Sequence, residues 1–261
     1  MKFYKLFVRL SHFCFTFLKK LTSFLDAFHS GFWLGALGKK GIAYSDELHY
    51  RKNTIYVKDE YNEKGLYDWE QYIVENHFAD VKTIMLIAAG GGREVIGLSR
   101  MGFRVDAFEC NPALVEYGNK LLKNNKIESS INHLPRNTVP SQTKTYDAVI
   151  IGWGAYSHIK GRPSRIKFLK DLQAFMHPGS RLMISFIWVK GRNRRDKMIQ
   201  LVSGFVGFFT RNERSELGDK LVPNFIHYFC EDEIKAELIH TGYRVIEYDE
   251  IKHGFIIAEI S

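Results

Sequence analysis

The sequence predicts an α/β protein built on a mostly parallel sheet, and three observations carry that expectation. Short apolar runs bounded by turn signals (83–87, 103–108, 146–151) alternate with stretches of helical spacing, as when strands feed crossover helices. The first run leads into Ala88-Ala89-Gly90-Gly91-Gly92, which removes side chains where the chain turns sharply and a ligand approaches its backbone. The second run ends on an acid, Glu109, roughly 20 residues beyond the glycines, where a carboxylate can accept from both hydroxyls of a ribose. Open α/β sheets bind ligands outside the carboxyl ends of their strands, so 83–111 reads as a nucleoside-cofactor site.

The choice of nucleoside cofactor turns on the glycines. A dinucleotide fingerprint started at Gly90 finds Gly92 but meets Val95 where the third glycine belongs, and that glycine is the one that allows close helix–strand packing. With Gly90, Gly92 and Glu109 so placed, the chain resembles the class I S-adenosylmethionine (SAM)-dependent methyltransferases over residues 80–261. The resemblance implies a Rossmann-like sheet, mostly parallel with an antiparallel last strand, and SAM as cofactor. Gly90 and Gly92 correspond to the last two glycines of the family's first motif, and Glu109 to its ribose acid. Leu86 stands where the motif has an acid and Ala88 where it has its first glycine. Backbone carbonyls around Ala88, or Glu94, are then the candidates for holding the methionine amino group. The cofactor set implied is Ala88, Gly90, Gly91, Gly92, Glu94, Glu109, Cys110, Asn137, Gly152 and Trp153.

Taken in order, residues 1–28 place apolar groups at helical spacing, with Lys2, Lys5, Arg9, His12, Lys19 and Lys20 elsewhere on the wheel. Lysine and arginine interrupt every stretch, which argues against a membrane span, and no small-x-small cleavage site follows Leu18. Two readings stand: a helix packed on the domain or on a second subunit, or an interfacial helix with a basic rim toward anionic headgroups. Residues 32–61 are glycine-broken and aromatic-rich, with little periodicity, while 65–76 read as a helix. Together residues 1–80 are expected to form an amphipathic helix and a helical cap ahead of the domain 81–261.

Asn111 and Pro112 open the next helix as cap and first-turn residue. Residues 130–134 form a short third strand, and Asn137 beyond it offers an amide oxygen to an adenine amino group. After the central strand 146–151 comes Gly152-Trp153-Gly154-Ala155-Tyr156-Ser157-His158-Ile159, where the resembling enzymes place substrate and catalytic groups. His158 has an intrinsic pKa suited to proton removal near neutrality, Tyr156 can orient or stack on an acceptor, and Trp153 can wall a pocket. Neither an Asn/Asp-Pro-Pro-aromatic tetrapeptide nor a Pro-Cys nucleophile is present, which argues against base-modifying enzymes of those types.

A helix is expected from Gly161 through Met176, ended by Pro178-Gly179, with a fifth strand over 181–188. Arg162 and Arg165 in its first turn sit at the wrong end for the helix dipole, as if facing an anion such as an acidic substrate. Residues 189–228 interrupt the pattern with a basic run and an apolar helix, read as a lid insertion, added core or partner interface. Asn224 and His227 are polar groups within it, and His227 is a second candidate base. A helix from 229 to 241 and strands at 243–248 and 254–260 close the chain as a methyltransferase sheet would end.

Composition bounds the partners. The 261 residues are 45% hydrophobic with a formal charge of +8, enough for one large core and suited to an anionic partner. Three widely spaced cysteines (Cys14, Cys110, Cys230) form no ligand pattern, which fits reduced thiols in a cytoplasmic protein and predicts no metal. The expectation is SAM-dependent methylation of an oxygen or nitrogen on a small apolar or anionic metabolite rather than nucleic acid, with a homodimer allowed for. Its rivals are a dinucleotide-binding oxidoreductase and a membrane-attached protein that holds SAM or lipid without turnover.

Overall fold

The computed structural model describes residues 3–141, 144–250 and 254–260. They divide into two compact units, 47–190 with 227–261 and 1–46 with 191–226. Residues 47–80 thus fall in the same unit as the sheet.

In the larger unit the strands β1 (Thr83–Ile87), β2 (Arg104–Glu109), β3 (Ile131–His133), β4 (Tyr146–Ile151) and β5 (Met176–Phe186) run parallel. Two more, β8 (Tyr243–Asp249) and β9 (Gly254–Ile260), complete a seven-stranded sheet in the order β3-β2-β1-β4-β5-β9-β8. Strand β9 runs antiparallel to both its neighbours, β5 and β8. This is the mostly parallel sheet with an antiparallel closing strand that the sequence predicts. Strand order reverses beside β1, so the carboxyl ends of β1, β2 and β4 surround one crevice.

Both faces of the sheet are covered, which explains the unbroken apolar runs. Side chains alternate across it. Met85, Val149 and Leu182 pack with Leu169 and Leu172 of α6 (Arg162–Leu172) and Leu238 of α8 (Glu231–His240). Ile84, Leu86 and Ile150 pack on the other face with Ile73 of α3 (Asp68–His77), Ile96 of α4 (Arg93–Arg100) and Leu121 of α5 (Pro112–Asn124). Asn111 caps α5 by accepting from the Ala113 N–H at 3.0 Å, as its position suggests.

One boundary needs correction. The expected helix 161–176 ends as α6 at Leu172, a single 3-10 turn follows, and Met176 already belongs to β5. Pro178 and Gly179 lie inside that strand, where Gly179 adopts φ +90° and the β4–β5 register shifts between Tyr146 and Ala148. A proline without an N–H and a left-handed glycine here make an irregularity in the ladder, not its end.

The smaller unit holds most of the helix α1 (Phe3–Lys52), bent at Gly38 where the backbone turns to φ 58°. Sequence periodicity fails to show that the helix continues past 28, because its buried stripe is made mostly of small residues. Ala27, Ser30, Gly31, Leu34, Gly35 and Gly38 follow the helical repeat, and four of them are glycine or serine rather than large apolar groups. Their size lets α7 (Arg194–Thr210) approach closely. A Cβ on Gly31 would stand 2.7 Å from the Ile199 carbonyl oxygen, and one on Gly35 would stand 2.6 Å from that of Ser203. A two-stranded hairpin, β6 (Asp219–Leu221) and β7 (Phe225–His227), follows, held to α1 by Ser30, which accepts from the Leu221 N–H, and Asp46, which accepts from the Phe225 N–H.

A buried ionic cluster fixes the helices behind β4. Glu237 of α8 accepts from Arg165 Nη2 at 2.7 Å, from its Nε at 3.0 Å, and from the Tyr156 hydroxyl at 2.7 Å. Arg165, Tyr156 and Glu237 are all fully buried. Removing one partner of such a pair leaves the other charge uncompensated. Glu237→Ala is therefore expected to lower unfolding stability by about 3–5 kcal/mol in urea titration; an unchanged midpoint would contradict this role.

Candidate functional site

The site grows from the turn after β1. Ala88 and Gly90 adopt φ 64° and 55°, and Gly92 takes φ 101° as the cap of α4, conformations that favour glycine. The Glu109 carboxylate at the end of β2 reaches back to this turn. One oxygen accepts from the Gly90 N–H at 2.9 Å and the other from the Asn111 N–H at 2.8 Å. Each oxygen has further lone-pair capacity, so the bonds that position the carboxylate leave room for two hydroxyl donors. A Cβ on Gly90 would meet nothing within 4 Å among the described residues, which marks the side of the turn open to a ligand. Gly152 closes the crevice from β4. Its N–H bonds the Ile87 carbonyl at 2.8 Å, and a Cβ there would stand 2.7 Å from the Ala88 oxygen.

Sequence reasoning missed the segment packed on the glycine turn. Residues 54–57 form a 3-10 turn and α2 (Asp59–Asn62) follows. A Cβ on Gly91 would lie 2.1 Å from the Tyr56 carbonyl oxygen and 2.9 Å from Asn62 Oδ1. Asn62 locks the segment by donating from Nδ2 to the Tyr56 and Lys58 carbonyls at 3.0 and 2.9 Å. Burial raises the Tyr56 phenol above its ordinary value, and the charge of Glu94 adds to the shift, with a smaller contribution from Glu109. The signal available was the aromatic richness of 32–61, without periodicity to interpret it.

Behind the turn, Arg93 makes a bidentate ion pair with Glu70 at 2.5 and 2.6 Å and lies 3.0 Å from Glu94. Burial works against its charge, but Glu94 and Glu70 outweigh burial and hold the guanidinium above its ordinary value. Glu94 is buried, and its carboxylate accepts at 3.5 Å from the N–H of Trp153, a residue 37% exposed. The α4 amino terminus thus carries a carboxylate fixed between Arg93 and the β4 loop.

The remaining candidates fall in different surroundings. Cys110 is half-buried, and burial followed by the charge of Glu109 pushes its thiol up to about 12, so it stays protonated at neutral pH. Asn137 lies exposed in the turn after β3 at φ 57°. His158 ends a 3-10 turn, half-buried, with Nε2 3.4 Å from the Tyr50 hydroxyl and the two rings edge to face. Tyr156 is wholly buried, stacked on Phe229 and bonded to Glu237, so its surroundings are those of a core residue and not of an acceptor pocket. His227 is equally buried, edge-on to Phe229 at 4.5 Å with Nε2 2.9 Å from Glu233. Arg165, read as facing an anion, does face one, but it is Glu237 of its own core. Arg162 is exposed at the start of α6, and Asn224 is buried in the hairpin of the other unit. The structure therefore brings together Ala88, the three glycines, Glu94, Glu109, Gly152 and Trp153, and sets Tyr156 and His227 in the aromatic core.

No protein-family model matches the chain, and neither does any curated protein. Solved structures do. A SAM-dependent methyltransferase from Methanosarcina mazei aligns over 75% of this chain and 98% of its own, at 18% identity and a TM-score of 0.58. An amino pentose methyltransferase of calicheamicin biosynthesis from Micromonospora echinaspora, solved with SAM bound, aligns over 84% and 97% at 13% identity and 0.54. The 1,6-didemethyltoxoflavin-N1-methyltransferase of Burkholderia thailandensis, with 1,6-didemethyltoxoflavin and S-adenosylhomocysteine bound, aligns over 74% and 77% at 14% identity and 0.56. At these identities the likeness is one of fold: the α/β fold of the SAM-dependent methyltransferases.

The turn makes a contrast that can be measured. Gly90→Ala meets nothing within 4 Å among the described residues and is expected to cost about 1–2 kcal/mol, the price of a left-handed alanine. Gly91→Ala drives a methyl into the Tyr56 carbonyl and should also release residues 54–62, read as faster amide exchange there. Unchanged exchange in that segment would show that it does not rest on Gly91.

Proposed function

We propose that this protein is a SAM-dependent methyltransferase acting on an oxygen or nitrogen of a small acceptor. The observation that carries the reading is the Glu109 carboxylate, fixed by the Gly90 and Asn111 N–H groups at the switch point of the sheet. The fold of the aligned methyltransferases supports it, and those of Micromonospora and Burkholderia are named for small-molecule substrates.

The residues fit the cofactor. Glu109 would take the ribose hydroxyls, the open side of Gly90 would admit the chain close to backbone, and Glu94 with the Ala88 carbonyl would hold the ammonium. Asn137 is the candidate for the adenine amino group, and Gly152 and Trp153 would line the β4 side. When bound, SAM supplies an electrophilic methyl group on a sulfonium. What the protein adds is alignment and water exclusion; orientation alone supplies roughly 7–11 kcal/mol in well-ordered intramolecular reactions. The segment 54–62 over the turn and Trp153 beside it are the groups placed to exclude water. His158 would hold or remove the acceptor proton, with Tyr50 orienting its ring through Nε2. Arg162, exposed at the start of α6, is the proposed acceptor contact.

Calorimetric titration with SAM and S-adenosylhomocysteine tests the reading. Micromolar binding is expected for the parent chain. Losing a hydrogen bond to a charged acceptor costs about 1.5–3 kcal/mol, so Glu109→Ala is expected to bind at least about tenfold more weakly. Binding of NADH with no binding of SAM would overturn it. Once an acceptor is found, turnover by the parent should fall as pH drops through protonation of the base, and His158→Ala should lose that acid limb. A limb that survives the substitution would exclude His158.

A further inference from the structure

The outer half of α1 is a helix without a core. Between Phe3 and Asp26 no described residue is buried, and Phe7, Phe13, Phe15, Leu18 and Phe24 are each more than half exposed. Water alone does not hold such a helix, because most helical stability comes from packing an apolar face, and exposed patches of this extent mark an interaction surface. At 100° per residue its apolar positions fill an arc of roughly 220°. Lys5, Arg9, His12, Lys19 and Lys20 crowd into the remaining arc, and no acid precedes Asp26.

The second helix of the same unit repeats the arrangement. The inner face of α7 (Ile199, Ser203, Gly207) is buried, while Leu201, Phe205, Phe208 and Phe209 are 67–80% exposed. Residues 198–210 carry no ionisable group, and Arg192, Arg194, Arg195 and Lys197 gather at the amino-terminal end. Gly31 and Gly35 lie against the backbone of Ser203 and its neighbours, the small-residue crossing that lets helices meet closely and turn their large side chains outward.

We infer that the unit formed by 1–46 and 191–226 is a docking module for an anionic lipid bilayer surface, with α1 and α7 lying in the interface. Charge and arc width select this occupant. A second helix covers a narrow seam, leaving most of a 220° apolar arc in water (roughly three-fifths of the wheel at 100° per residue), and a second copy would bring like charges together. A bilayer interface accepts the whole arc while the lysines reach the headgroups. Neither helix crosses: no helix among the described residues is long and apolar enough to span a membrane.

Co-sedimentation of the full chain with vesicles of phosphatidylcholine mixed with phosphatidylglycerol tests the inference, against vesicles of phosphatidylcholine alone. The expected result is strong, salt-sensitive binding to the mixed vesicles and weak binding to the neutral ones. Lys19→Gln and Lys20→Gln, fully surface changes that leave packing intact, should each weaken partitioning roughly fivefold. Phe205→Asp with Phe208→Asp should weaken it at least about tenfold, with circular dichroism matching the parent. Absent binding to mixed vesicles would overturn the inference, as would binding indifferent to all four substitutions. A dimer in light scattering that needs Phe205 and Phe208, without vesicle binding, would give the surface to a second copy instead.

Discussion

The Glu109 carboxylate, held between the Gly90 and Asn111 N–H groups, is the contact on which the site depends. It joins the turn after β1 to the start of α5, so three chain segments meet at one anion. Because both bonds come from backbone, the carboxylate is positioned before any ligand arrives, and preorganisation of this kind is what lets a site bind without paying to order itself. The left-handed residues at 88, 90 and 92 are its geometric consequence: the turn must curl back for the Gly90 N–H to point at β2.

Around that anion the protein builds inward and outward differently. Inward lies the Glu70–Arg93–Glu94 cluster, with the guanidinium neutralising two buried carboxylates. Farther along the sheet, Arg165, Glu237 and Tyr156 form a second buried cluster, and His227 with Glu233 borders it through Phe229. Arg165, Glu237, Tyr156 and His227 have the residue types of catalysis but the surroundings of architecture. The half-buried His158 and Tyr50 pair differs from them by being only partly enclosed, which is why it, and not His227, keeps the chemical role in our proposal.

The sheet was legible in the sequence because its strands are covered on both faces and therefore read as continuous apolar runs: β1 and β4 fall at the residues expected, Thr83–Ile87 and Tyr146–Ile151. The Gly90–Glu109 unit was legible for a similar reason, since its requirements fix residue type at fixed spacing. Three things were not. The continuation of α1 is hidden because its buried stripe is mostly glycine, serine and alanine, with Leu34 and Ile42 too sparse to show a hydrophobic repeat. The packing of 54–62 on Gly91 depends on a backbone carbonyl, and carbonyls have no sequence identity. The fates of Tyr156, Arg165 and His227 depend on partners 81, 72 and 6 residues away in Glu237 and Glu233, and spacing within a motif cannot report such partners.

Hydrogen exchange with and without S-adenosylhomocysteine tests the central claim most directly, because it reads the location of binding rather than its existence. Glu109 and the glycine turn as the cofactor cradle predict slowed exchange at 88–92, 109–111 and 152–153, with 191–226 unchanged. Protection centred on 191–226, or on the Tyr156–His227 core with the turn unaffected, would contradict the account.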